Sequence, residues 1–228
     1  MPMFTVTGDI DPFLHVSLRK GEKIFCESNA VVMMEDGLDL KGRMRGGLGQ
    51  SLLRHFANEE SLFQQEIEAV RGAGDCLLSP ALPGAIAVLE VAPDTSYVLS
   101  DGSFVAAESG VELRSRMNNL SGAVFGGTGG FLVMEATGFG KLAVSGFGSI
   151  FTLDIAAGRE MTIDNHHAVA WSSCLRYEVG LVRSGGGLLG SLVNSATSGE
   201  GWVLKFRGPG KVVICSRNRE LLLGPQKQ

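Results

Sequence analysis

The residues best suited to chemistry in this chain are two adjacent histidines, His166 and His167, followed by Cys174 and Glu178. Imidazole, thiolate and carboxylate are ordinary ligands of transition metals, and His with Glu on a β-barrel is the pattern of a cupin-like metal-dependent enzyme. The spacing works against that chemistry. Adjacent residues of a strand point to opposite faces, so the pair can chelate jointly only from a turn, and the His-x-His of a cupin-like centre is missing. The four cysteines, Cys26, Cys76, Cys174 and Cys215, form no CxxC pair, and each lies in or beside an apolar run. That is the setting of reduced, buried thiols, and no cofactor is expected.

Other chemistries fare no better. Gly126-Gly127-Thr128-Gly129-Gly130 is neither of the usual phosphate-loop patterns, and the FLVMEA that follows reads as strand, so no helix N-terminus is offered to a phosphate. Nucleophile motifs such as G-x-S-x-G and HExxH are absent from the sequence. Trp171, Trp202 and Phe206 are of a type that stacks on bases, but Trp202, Leu204 and Phe206 alternate like one buried strand face. A net charge of −4 argues against nucleic acid as a general partner. The chain is expected not to be an enzyme.

The elements that must position these residues are β-strands. Hydrophobic residues make up 44% and charged residues 19% of the 228 positions, a globular balance. The 32 glycines are about twice the usual share and imply many tight turns. Three 31-residue blocks, 14–44, 87–117 and 151–181, align without a gap, and eight columns are apolar in all three. They are Val16/Leu89/Leu153, Leu18/Val91/Ile155, Ile24/Tyr97/Met161, Cys26/Leu99/Ile163, Val32/Val105/Val169, Met34/Ala107/Trp171, Leu38/Val111/Leu175 and Leu40/Leu113/Tyr177. The columns fall in pairs two residues apart, the period of a strand with one buried face. Each block therefore reads as four short strands. His166-His167 aligns with Gly102-Ser103 and Asn29-Ala30, so the block needs no histidine for its structure.

A second element also recurs. Gly72-Ala73-Gly74, Gly138-Phe139-Gly140 and Gly208-Pro209-Gly210 each separate two strand-like runs and read as hairpin turns. Helical patterning is limited to the stretch 50–60. Between block and Gly-x-Gly lie variable inserts, 42–60, 118–130 and 183–201, which mix glycine with apolar side chains. Those side chains are Leu48, Leu52, Leu53 and Phe56; Leu120, Val124 and Phe125; and Leu188, Leu189, Leu192 and Val193. An ordinary exposed loop carries more charge, so these residues are candidate contacts between chains or with a protein partner or membrane surface. The expected architecture is all-β, with repeats over 1–86, 87–150 and 151–228 in one compact body. Open repeat edges call for pairing with each other or with further chains.

The start, MPMFTVTGDI, does not read as a signal peptide, and no apolar run reaches the roughly 18–20 residues of a spanning helix. A soluble, cytoplasmic protein is expected.

The chain also resembles the altered inheritance of mitochondria protein 24 family. The matching pieces are KGEKIF (20–25), ESLF (60–63), GFGKLAVSGFGSIFTLDI (138–155), IDNHHAVAW (163–171) and GEGWVLKFRGPGKVVICSRN (199–218). The resemblance implies a fold like that of the tryptophan RNA-binding attenuation protein, each repeat a short double-stranded β-helix or sandwich. It further implies a homotrimer whose nine repeats form a pseudo-ninefold ring, and a mitochondrial relative associated with the inner membrane. It attaches no catalytic residues. The function expected is that of a ring-forming structural or interaction protein. The alternatives are an RNA- or small-molecule-binding module between repeats and the cupin-like enzyme.

Overall fold

The computed structural model describes residues 1–44, 63–119, 130–181 and 202–218. Its described part is all-β, with one 3₁₀ turn at Asn165–His167. The first stretch holds β1 (Met3–Thr7), β2 (Phe13–Leu18), β3 (Lys23–Glu27), β4 (Val31–Met34), β5 (Leu38–Met44), β6 (Phe63–Ala69) and β7 (Gly74–Leu78). Next come β8 (Gly84–Val91), β9 (Tyr97–Ser100), β10 (Phe104–Glu108), β11 (Val111–Asn119), β12 (Gly130–Gly138) and β13 (Gly140–Phe147). The last are β14 (Ile150–Ile155), β15 (Glu160–Asp164), β16 (Ala168–Ser172), β17 (Arg176–Leu181), β18 (Trp202–Arg207) and β19 (Gly210–Cys215). Each aligned block thus folds as the four strands its period predicts. The 50–60 stretch lies outside the described residues.

The strands form four antiparallel sheets, ordered β1-β2-β7-β4, β5-β6-β3-β10-β13-β8, β11-β12-β9-β16-β19-β14 and β15-β18-β17. None of these sheets closes on itself among the described residues. Strand partners follow one scheme along the chain. β7 lies between β2 and β4, β13 between β8 and β10, and β19 between β14 and β16. Likewise β6 lies between β3 and β5, β12 between β9 and β11, and β18 between β15 and β17.

The Gly-x-Gly elements are not hairpin turns. The strand before each enters one sheet and the strand after it enters another: β6 and β7, β12 and β13, and β18 and β19 never pair. They are corners between sheets, and at Gly138, Gly140, Gly208 and Gly210 there is no room for a side chain, whereas a Cβ at Gly72 would meet open space. Gly138 shows why, at φ +93°: a Cβ there would lie 2.3 Å from the Gly110 carbonyl oxygen.

Alternation places the apolar columns inside. In β2, Leu14, Val16 and Leu18 are buried, while the residues between them reach the surface. Strands covered on both faces lose the alternation, and all five residues of β10 are buried. Among the described residues three hydrophobic cores result, each drawing on neighbouring stretches of chain. The first, around Leu14, Ile24, Leu38 and Ile67, includes Ala106 and Ala143. The second includes Val169, Ala170 and Val213, and the third packs Trp171 with Val98 and Val133. Each fully buried Leu, Ile or Phe contributes about 1.5–3 kcal/mol relative to exposure.

Two of the apolar column positions do not belong to the core. Val32 is 55% exposed and Leu40 is 40% exposed. Both lie on strands at the end of a sheet, β4 and β5. Periodicity reveals which face is apolar, but not whether a neighbour covers it.

Candidate functional site

All eleven insert residues named above, from Leu48 to Val193, lie outside the described residues. The strands that lead into and out of the inserts are described. β5 pairs with β6 up to Met44 opposite Phe63, β11 with β12 up to Asn119 opposite Gly130, and β17 with β18 up to Leu181 opposite Trp202. Each insert therefore joins the two strands of a hairpin at its tip.

His166 and His167 sit in the 3₁₀ turn rather than on a strand. Asp164 caps that turn, its carboxylate accepting the His166 backbone N–H at 2.8 Å. The His167 Nδ1 lies 2.8 Å from the Cys215 carbonyl oxygen, which ties the ring to β19. Cys174 is exposed and its Sγ lies 3.5 Å from the Pro209 carbonyl oxygen, on the corner before β19. Among the described residues, no three His, Cys, Asp or Glu side chains converge at metal-ligand spacing. The donor set of the cupin-like alternative is therefore not assembled there.

Cys26 and Cys76 are buried in the first core, and burial pushes both thiols up to about 12. They remain protonated and unreactive. Trp171 is fully buried, edge-on to Tyr177 at 5.1 Å and to Phe206 at 5.5 Å between ring centroids. This aromatic cluster is core, closed to a stacking base.

A set of polar contacts that the sequence did not single out lies where β4, β10 and β16 end. Glu35 Oε2 accepts the Asp75 N–H at 3.0 Å, and Ser172 Oγ accepts the Lys211 N–H at 3.0 Å. Glu108, at the equivalent place, accepts the Lys141 N–H. Glu108 is buried, its Oε1 has no hydrogen-bond partner among the described residues, and desolvation holds its carboxyl above the usual carboxylate range. The identity of Glu35 with Glu108 in the aligned blocks was the one signal of this contact.

The remaining unusual features are the two sheet ends that break the pairing scheme. β10 and β16 each lie between two strands, but β4 pairs only with β7 among the described residues. β3 and β9 each lie between two strands, but β15 pairs only with β18. β4 is the apolar tetrapeptide Val31-Val32-Met33-Met34, without the charge or proline that usually guards such an edge. Met33 is 40% exposed. An edge of this kind offers free backbone donors and acceptors to another strand.

A family model described as mitochondrial biogenesis AIM24 matches residues 4–217. The chain belongs to that family. A relative within reach of it is an uncharacterized protein of Streptococcus pyogenes serotype M6, 33% identical over 234 residues, which span 99% of this chain and 90% of the relative. The X-ray crystal structure of a protein from Streptococcus pyogenes is similar at a TM-score of 0.77 and 31% identity, with 98% of this chain and 97% of that chain covered. The AIM24 match thus spans all four sheets, including both unpaired ends. No helix among the described residues of this AIM24-family chain is long and apolar enough to cross a membrane.

Proposed function

We propose that this chain is a non-enzymatic, ring-forming structural or interaction protein, built as three copies of one six-strand unit. The observation that carries this reading is the pair of open ends. Strand β3 is joined to β10, and β9 to β16, whereas among the described residues β15 and β4 are left without the equivalent neighbour. A head-to-tail contact between unlike edges gives a closed ring or an open fibre, according to the rotation it imposes. Closure at three chains, with nine units around the ring, is what the family resemblance implies.

Light scattering coupled to gel filtration tests it. The expected mass is about 72 kDa, three times 24.1 kDa. A clean monomer at micromolar concentration sinks the reading, and a polydisperse fibre replaces the ring with a filament.

The insert side chains are proposed as further contact surface, either between chains or toward a protein partner or a membrane surface. Their apolar composition and their common place at hairpin tips support this. Changing Leu188, Leu189 and Leu192 together to Ser separates the two roles. Loss of the trimer marks them as interface; a retained trimer that no longer floats with liposomes, or no longer captures its partner, marks them as docking surface.

A further inference from the structure

We infer that β4 of one chain adds to β15 of a second copy as an antiparallel strand, with Met33 opposite Ile163, Met34 opposite Thr162 and Glu35 opposite Met161. This specifies the joint of the ring-forming reading and rests on that reading.

The register comes from two joints inside the chain. Between β3 and β10, Cys26 faces Ala106, Phe25 faces Ala107 and Ile24 faces Glu108. Between β9 and β16, Leu99 faces Ala170, Val98 faces Trp171 and Tyr97 faces Ser172. In the aligned blocks Cys26 and Leu99 share a column with Ile163, and Ala106 and Ala170 share one with Met33. The two joints therefore have one register, and β15 and β4 are its unused halves.

Burial identifies what is missing. Val105 and Ala106 are 0% exposed at the first joint, and Val169 and Ala170 are 2% and 0% exposed at the second. Their counterparts Val32 and Met33 are 55% and 40% exposed. On the other side, Phe25 and Val98 are buried, whereas their counterpart Thr162 is exposed.

The shape of β4 also matches. A register shift interrupts β10 between Phe104 and Ala106, against β13, and β16 between Ala168 and Ala170, against β19. β4 carries the same shift against β7, between Val31 and Met33. A bulge bends and twists its strand, so β4 already has the form that β10 and β16 adopt with a neighbour on their far side. The occupant is a second copy because, among the described residues, β15 alone holds that place in the scheme with a free edge. The edges are unlike, so β4 does not pair with β4 across a twofold axis.

Cysteine cross-linking tests the register in the full chain, with Cys174→Ser removing the exposed thiol. The double variant M33C/I163C, oxidised and run without reductant, is expected to appear mostly as covalent trimer. M33C alone and I163C alone are expected to stay at monomer mass. A second variant, Met33→Arg, changes a residue already exposed in the monomer, so it is expected to fold with an unchanged circular dichroism spectrum and run as a monomer. Trimeric protein that gives no cross-link in the double variant, cross-links through M33C alone, or stays trimeric as Met33→Arg overturns the docking while the ring survives. Covalent ladders beyond three chains uphold the docking and overturn the closed trimer. A monomeric unmodified chain overturns both.

Discussion

The Glu35 carboxylate accepts the backbone N–H of Asp75 at 3.0 Å, joining the end of β4 to the start of β7. The same join is made by Glu108 at Lys141 and by Ser172 at Lys211. Each acceptor lies at the end of its strand, β4, β10 or β16, and each amide partner directly follows the second glycine of a Gly-x-Gly corner. A side-chain acceptor there helps to satisfy the first amide after the corner. The contacts differ in environment, because Glu108 lies opposite Ile24 at the joint of β3 with β10, whereas Glu35 lies at an open sheet end.

Glu108 should make stability fall as pH rises. Its folded carboxyl titrates above its unfolded value because burial disfavours the charged form. The folded state therefore binds more protons than the unfolded state at and above about pH 4.5, and its stability decreases through that window as pH rises. Glu108→Gln keeps an acceptor for the Lys141 N–H and removes the charge. Thermal unfolding at pH 7 should shift up by about 2 °C, the size of a change below about 1 kcal/mol in a chain of this length. At pH 4.5 the gain should shrink. An equal shift at both pH values excludes ionisation as the cause.

The thiols should divide by environment. Cys174 is exposed, whereas Cys26 and Cys76 are buried and pushed up to about 12 by desolvation. Native protein at pH 8 should react rapidly with a thiol reagent at Cys174 and leave Cys26 and Cys76 intact. After denaturation all four cysteines should react. Peptide mapping after a short alkylation reads the order, and early modification of Cys26 contradicts it.

Much of the β architecture was legible because burial in a strand leaves a period-2 trace. Leu14, Val16 and Leu18 carry that trace, and Leu38 and Leu175 mark the same inward position at the start of β5 and just before β17. The corners were not legible. Gly138-Phe139-Gly140 has the composition of a hairpin turn, and only the pairing of β12 with β9 and β11 reveals that the chain changes sheet. Sheet order is a long-range property, so the exposure of Val32 and Leu40 had no local sign. The histidine turn was legible in part: the polar run Asp164-Asn165-His166-His167 breaks the apolar alternation between Ile163 and Val169, and it folds as a 3₁₀ turn capped by Asp164. The acceptor role of Glu108 was visible only as an identity with Glu35.

The corner at Gly138 should tolerate no side chain. Gly138 combines φ +93° with a Cβ position 2.3 Å from the Gly110 carbonyl oxygen. Gly138→Ala should destabilise by about 3 kcal/mol or more, since positive φ and a backbone clash act together. Gly42→Ala is the control. Gly42 lies in β5 with no atom within 4 Å of a Cβ and no positive φ. Urea denaturation should leave that variant within about 0.5 kcal/mol of the parent. Equal loss in both variants rules out the corner geometry as the cause.

Trp171 should be the largest single side-chain contributor to the third core. It is fully buried, sits edge-on to Tyr177 and Phe206, and bridges β16 to β9 opposite Val98. Trp171→Ala removes the ring from the centre of that cluster, and the rigid strands on either side cannot close the void. A loss of about 3–5 kcal/mol is expected, enough to consume much of an ordinary domain's stability. Trp171→Phe separates packing from hydrogen bonding. The indole Nε1 has no hydrogen-bond partner among the described residues, so replacing it forfeits no bond and removes a buried, unsatisfied donor. The Phe variant should therefore lose only part of the apolar contact, about 1–2 kcal/mol, less than the Ala effect. Urea denaturation followed by far-ultraviolet circular dichroism measures both. If Phe costs as much as Ala, the indole N–H has a partner that matters, and the cluster is held by polar contact rather than by packing.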